Sequence, residues 1–107
     1  MTVPSDLIRG NTDMILLSCL SKGDTYGYQI NKTVLSATDN AFSFKDATLY
    51  SAFRRLESQG FIASYWGDDE DPGARRRYYT ITDRGKKYLA RLREEWLNLC
   101  GIMEKLT

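Results

Sequence analysis

Residues 45–82, KDATLYSAFRRLESQGFIASYWGDDEDPGARRRYYTIT, decide the fold. From Asp46 to Gln59 the apolar residues Leu49, Phe53 and Leu56 recur at i, i+4 and i+7, which sets them on one face of a helix. Thr48, Ser51, Arg55 and Ser58 fall roughly opposite, with Tyr50 and Arg54 on the flanks. Gly60 is expected as a left-handed C-cap, because glycine adopts positive φ without steric cost. Phe61 to Trp66 is a β-prone run. Asp68 to Gly73, containing Pro72-Gly73, reads as a turn, and Arg75 to Ile81 as the return strand. Trp66 reads as a hairpin core residue.

Upstream, one helix is expected from about Ser5 or Asp6 to Leu20. Leu7, Gly10, Met14 and Leu17 share one of its faces, and Ile15, Leu16 and Cys19-Leu20 occupy a second. Two apolar faces imply burial on two sides, one within the domain and one against a partner. Gly23 ends this helix, with Lys22 suited to its negative C-terminal end. A second helix starts after Thr25 as N-cap and turns Tyr26, Ile30 and Val34 inward. Ala37 to Ser43 is a polar connection with the turn signal Asp39-Asn40, and Phe42 and Phe44 flank Ser43 in a short extended piece.

Downstream, Thr82 caps a last helix running to about Lys105. Its residues Leu89, Leu92, Trp96, Leu99, Met103 and Leu106 are spaced 3, 4, 3, 4, 3, the a/d seam of a coiled coil. A terminal helix has little of its own domain left to cover it. The seam is therefore expected to be a homodimer contact, against the other reading of a helix folded back on its own core.

At 107 residues the chain is expected to be one unit of two parts, residues 1–82 and a dimerisation helix at 83–107. Hydrophobic content of 42% and charged content of 27% are ordinary for a globular protein. The net charge is +1, so any attraction to a polyanion must come from a local patch. Histidine is absent, which removes the commonest general base and transition-metal ligand. No nucleophile elbow or phosphate-cradling glycine loop occurs, so no catalytic residue, cofactor or metal is expected. Cys19 and Cys100 lack CxxC spacing and read as reduced thiols, with an interchain bridge through Cys100 as the other reading. No apolar stretch is long enough to span a bilayer, and Met1 to Asp6 show no basic n-region followed by an apolar run. A cytoplasmic location without a membrane partner is expected.

The order helix, helix, helix, hairpin, helix is that of a winged helix-turn-helix. The class is mainly α with a small β-hairpin. In such folds the helix before the hairpin enters the major groove of DNA. Its first turns carry Lys45, Thr48, Tyr50 and Ser51, whose hydroxyl and amide groups suit phosphate oxygens, and Arg54 reaches a guanine edge on this reading. The competing reading is a solvated face that is polar because it is outside. Arg75, Arg76 and Arg77 on one strand point to both faces and cannot all be core partners. They either grip phosphates or pair across the hairpin with the acidic tip, Asp68-Asp69-Glu70-Asp71. A winged-helix module that binds a protein instead of duplex DNA is the alternative class.

In order along the chain stand Tyr26-Gly27-Tyr28-Gln29-Ile30, Ala47-Thr48-Leu49-Tyr50, Arg54-Arg55-Leu56-Glu57 and Gly60-Phe61-Ile62. Arg75-Arg76-Arg77-Tyr78-Tyr79 and Thr82-Asp83-Arg84-Gly85 follow. This ordered set resembles the PadR family of bacterial transcriptional regulators, specifically its short-tailed subgroup with one C-terminal helix. The resemblance covers essentially the whole chain. It implies a dimeric repressor that binds a palindromic operator and releases it on a signal. By carry-over, Thr48, Tyr50 and Ser51 contact DNA, Tyr26 supports a phosphate contact, and Arg75, Arg76 and Arg77 carry the wing contacts. Where the family often has proline at position 51, this chain has Ser51.

Trp96 is large for a coiled-coil a position. It either packs into the dimer or, with its symmetry mate, flanks a hollow for planar aromatic ligands. The sequence around Trp66-Gly67-Asp68 and Glu95-Trp96 is similar to the LmrR-like, multidrug-sensing branch of the family. That resemblance implies a ligand stacked on Trp96. Leu7, Met14 and Leu17 are expected as further walls and Asp13 as a group favouring a cation.

Overall fold

A computed structural model describes residues 3–68 and 75–107. The elements are α1 (Ser5–Arg9), α2 (Thr12–Ser21), α3 (Gly27–Ala37), α4 (Asp46–Ser58), β1 (Ile62–Trp66), β2 (Arg77–Ile81) and α5 (Asp83–Leu106). The two strands are antiparallel, with Ile62 opposite Ile81 and Trp66 opposite Arg77. The fold is mainly α with one hairpin: a winged helix-turn-helix followed by a long C-terminal helix. Past Asp68, the expected turn and its acidic tip lie outside the described residues.

The single helix expected from Ser5 to Leu20 is two helices. Asn11 breaks it: its side-chain amide donates to the Leu7 carbonyl (3.0 Å) and its N–H to Ile8 (2.8 Å), so the side chain takes the helical acceptor. Gly10 beside it adds low helix propensity. The break turns Leu7 away, leaving it 66% exposed while Leu17 is fully buried, so these two residues do not share a face. The cap of α3 is Tyr26 rather than Thr25. Thr25 instead exchanges backbone hydrogen bonds with Tyr79 (3.3 and 2.8 Å), adding a bridge to the hairpin. The return strand begins at Arg77, so Arg75 and Arg76 precede it.

The core draws Leu16 and Leu20 from α2, Ile30 from α3, and Leu49, Phe53 and Leu56 from α4. The Phe53 and Tyr79 rings stack at 4.0 Å, which pins α4 to β2. Thr82 joins α4 to α5. Its hydroxyl donates to the Gly60 carbonyl (2.7 Å) and accepts from the Gly85 N–H (3.0 Å). Gly60 has φ +80°, the left-handed cap expected.

Along α5 the seam divides. Leu89 is 3% exposed in the chain's own core and Leu92 packs against it, whereas Trp96 is 43%, Met103 53% and Leu106 76% exposed. The last turns of α5 therefore project beyond the core. The radius of gyration, 15.2 Å, is correspondingly large for a chain length at which about 13 Å is usual. Trp66 is no core residue: it is 55% exposed, beneath the Arg77 guanidinium at 5.6 Å.

Candidate nucleic-acid interface

The N-terminus of α4 is positioned by Asn31. Its side-chain amide donates to the Phe44 carbonyl and its side-chain carbonyl accepts from the Phe44 N–H, both at 2.9 Å. Phe44 is buried, so Lys45 enters the helix at a fixed angle with no side-chain cap of its own. Lys45, Thr48, Tyr50, Ser51 and Arg54 are all exposed. The expected outer face of α4 is thus on the surface. A single asparagine thirteen residues upstream, which sequence reasoning did not single out, holds its start.

Three of the anticipated residues converge at the start of α3. Tyr26 caps that helix without a side-chain hydrogen bond. The Tyr50 hydroxyl lies just above, 3.1 Å from where a Gly27 Cβ would sit. Arg76 covers the Tyr26 ring at 4.9 Å. Tyr78 meets Tyr26 edge-on at 5.3 Å and stacks on Tyr65 at 5.7 Å. The Tyr65 hydroxyl donates to Asp24 (2.7 Å), and this hydrogen bond raises its pKa. Tyr65 was absent from the expected site, and Tyr78 was foreseen only as one of two phenols, with Tyr79, able to reach phosphate. The direct opposition of Tyr65 and Tyr78 in the hairpin register is the signal that would have found the pair.

The arginines separate by role. Arg77 lies 3.5 Å from Glu57 of α4, donates to Ser64 (2.7 Å) and covers Trp66. It braces the wing against α4. Arg75 is exposed at the base of the wing. Arg55 is bound to Asp13 of α2, on the other flank of α4. Along that flank an open groove of about 510 Å³ runs past Thr48, Ser51 and Arg55.

The sequence matches the Transcriptional regulator PadR-like family over residues 16–91. The chain belongs to that family. PadR-like proteins are DNA-binding transcriptional regulators and not enzymes. A solved transcriptional regulator from Clostridium thermocellum is 46% identical, aligned over 94% of this chain and 96% of its own, with a TM-score of 0.85. A PadR family transcription regulator from Clostridium difficile is 34% identical over 90% of this chain and 97% of its own, with a TM-score of 0.78. An uncharacterised protein of Lysinibacillus sphaericus is 44% identical over 95% of this chain and 93% of its own length.

A second cavity of this PadR-like chain, about 220 Å³, lies between α2 and α5. Asp13, Met14, Tyr88, Glu95 and Trp96 line it. Of the residues expected around a ligand, Trp96, Met14 and Asp13 meet there. Leu17 is sealed in the core and Leu7 faces solvent, so neither is a wall. Tyr88, two turns before Trp96 on α5, and Glu95, beside it in sequence, were not foreseen as walls. Asp13 is not an unpaired acid awaiting a cation. Burial opposes its charge, but hydrogen bonds from Arg55 and Tyr88 and the charge of Arg55 outweigh that, and its pKa is lowered. No helix among the described residues is long and apolar enough to cross a membrane.

Proposed function

We propose that this PadR-like regulator is a homodimeric repressor acting in the cytoplasm on a palindromic operator. In this reading Lys45, Thr48, Tyr50, Ser51 and Arg54 of α4 meet the major groove. Tyr26, Arg76 and the N-terminus of α3 hold one phosphate, Arg75 meets the backbone beside it, and Arg77 keeps the wing in place. The observation that carries the reading is the pairing of two exposed surfaces: a polar, hydroxyl-rich face on α4 and an apolar one at the end of α5. Among the described residues, Trp96, Leu99, Met103 and Leu106 keep 43–76% of their surface exposed. A second copy packed there would set two α4 helices at a fixed separation, about 34–36 Å for successive major grooves.

A planar aromatic ligand beside Trp96 releases the operator by favouring a dimer arrangement with the wrong separation. The α2–α5 cavity supports this, since it lies along the surface assigned to the partner. Sedimentation and duplex titration at rising salt test the proposal together. A dimer whose duplex affinity falls steeply with salt is expected, through counterion release. A monomer at micromolar concentration, or salt-independent duplex binding, would overturn it.

A further inference from the structure

Asp13 lines both the groove beside α4 and the cavity beside Trp96. No other charged side chain is shared by these two spaces among the described residues. Its carboxylate accepts from both terminal guanidinium nitrogens of Arg55, one at 2.9 Å, and from the Tyr88 hydroxyl at 2.9 Å. Arg55 belongs to α4 and Tyr88 to α5. One side chain of α2 is therefore the polar joint between the helix assigned to DNA and the helix assigned to the dimer.

The joint is built to transmit position. A bidentate arginine–carboxylate pair fixes angle as well as distance. The Tyr88 ring is held in turn, stacked on Phe61 at 4.2 Å and covered by Arg91 at 5.1 Å. Phe61 accepts a backbone hydrogen bond from Thr82 (3.1 Å), directly after the C-cap of α4. A tilt of α4 cannot leave the Arg55–Asp13 geometry intact unless α5 follows or the Tyr88 contact breaks. Two turns along α5 from Tyr88 lies Trp96, so either response alters the surroundings of its indole.

We infer that Asp13 is a positioning residue that couples the setting of the DNA-reading helix to the Trp96 cavity, through Arg55 on one side and Tyr88 on the other. The inference rests on the reading of α4 as the DNA-reading helix, but it requires no ligand. By linkage, whatever moves α4 must be felt at Trp96, and the reverse.

The test uses the full chain carrying Trp66→Phe, so that Trp96 is the sole tryptophan. A fluorescein-labelled random-sequence duplex at low salt is the probe. Anisotropy reports DNA binding and Trp96 emission reports the cavity. With the Trp66→Phe chain, duplex binding is expected to shift Trp96 emission. Adding Asp13→Asn, which keeps an acceptor for Tyr88 but removes the charge, should abolish that shift while the duplex still binds. Tyr88→Phe, which leaves the ion pair, should also abolish it, and serves alone if Asp13→Asn fails to fold. A merely structural role for Asp13 would lower the melting temperature and leave the emission shift in place. An undiminished shift in either folded variant, or bound duplex with no shift in the Trp66→Phe chain, overturns the coupling. Absence of duplex binding in anisotropy overturns the reading of α4, and the coupling with it.

Discussion

Asp13 of α2 and Arg55 of α4, 42 residues apart in sequence, form a bidentate ion pair on the flank of the helix proposed to read DNA. Tyr88 of α5 donates to the same carboxylate. The side chain of Asp13 is 17% exposed and that of Arg55 47%, so the pair is neither a freely solvated surface bridge nor a fully buried one. Its partial burial makes it consequential, because loss of Asp13 leaves the Tyr88 hydroxyl and part of the guanidinium without an acceptor. Asp13→Ala is expected to cost about 1–2 kcal/mol in urea unfolding.

The same pair sets an acid limit on stability. The folded pKa of Asp13 lies below its ordinary value of 3.8. A depressed carboxyl pKa contributes stability that is fully present above the unfolded value and is lost as pH falls through the folded one. The stability difference between the wild type and Asp13→Asn should therefore be constant from about pH 7 to 5 and shrink below about pH 4. Urea midpoints measured at pH 7, 5, 4 and 3 check it. A difference that persists undiminished at the lowest pH would assign the effect to packing instead of charge.

The arginine triplet should separate under mutation. Arg75 is exposed at the wing base, whereas Arg77 is tied to Glu57, Ser64 and Trp66. Arg75→Ala should lower the slope of log affinity against log salt by about 1 and leave the melting temperature unchanged. Arg77→Ala should lower the melting temperature and leave the salt slope nearly unchanged. Duplex titrations at several salt concentrations, beside thermal melts, decide between this division and a uniform basic patch.

These contrasts mark where the sequence was legible. The buried stripe of α4, the Gly60 cap and the Thr82 cap were readable because each is a local rule, a period of 3.6 or a single capping side chain. The α1–α2 break was not, because Asn11 acts through a hydrogen bond to Leu7 that no apolar pattern records. Asn31 to Phe44, Asp13 to Arg55 and Arg77 to Glu57 were equally silent, since each pairs residues brought together only by the fold. Leu89 fitted the heptad seam as well as the core, and spacing alone cannot distinguish two apolar destinations on one helix face.

Gly85 gives a stability prediction independent of function. A Cβ there would lie 2.0 Å from the Phe61 carbonyl oxygen and 2.8 Å from the Ile81 side chain. The obstructing group is backbone, so relief requires moving the start of α5 away from the end of α4. Gly85→Ala should destabilise by about 2–4 kcal/mol despite alanine's better helix propensity. Gly101, also in α5, has nothing within 4 Å of the equivalent point. Gly101→Ala should therefore be neutral or stabilising by up to about 1 kcal/mol, and thermal melts of the pair check the contrast.

The seam of α5 should likewise divide at Trp96. Leu89→Ala removes a buried side chain and is expected to cost about 2–5 kcal/mol. Met103→Glu and Leu106→Glu alter exposed positions and should leave the fold intact while weakening self-association. Equilibrium sedimentation with far-UV circular dichroism separates the outcomes. A folded, fully associated double variant would place the dimer contact elsewhere on the surface.

The ligand reading turns on one indole. Trp96 is 43% exposed at the rim of the α2–α5 cavity, whereas Trp66 lies on the wing. In the Trp66→Phe chain, a planar aromatic probe such as ethidium should quench the remaining emission. Trp96→Ala, with Trp66 kept, should lose the quenching. Duplex binding should persist in Trp96→Ala, because the indole is no part of the α4 face. If the probe acts by shifting a dimer equilibrium, it must also weaken duplex binding in the wild type, by the factor through which duplex weakens the probe. Unequal factors would mean that the probe has intercalated in the DNA instead. Quenching carried wholly by Trp66 would remove the cavity from the regulatory account while leaving the α4 interface untouched.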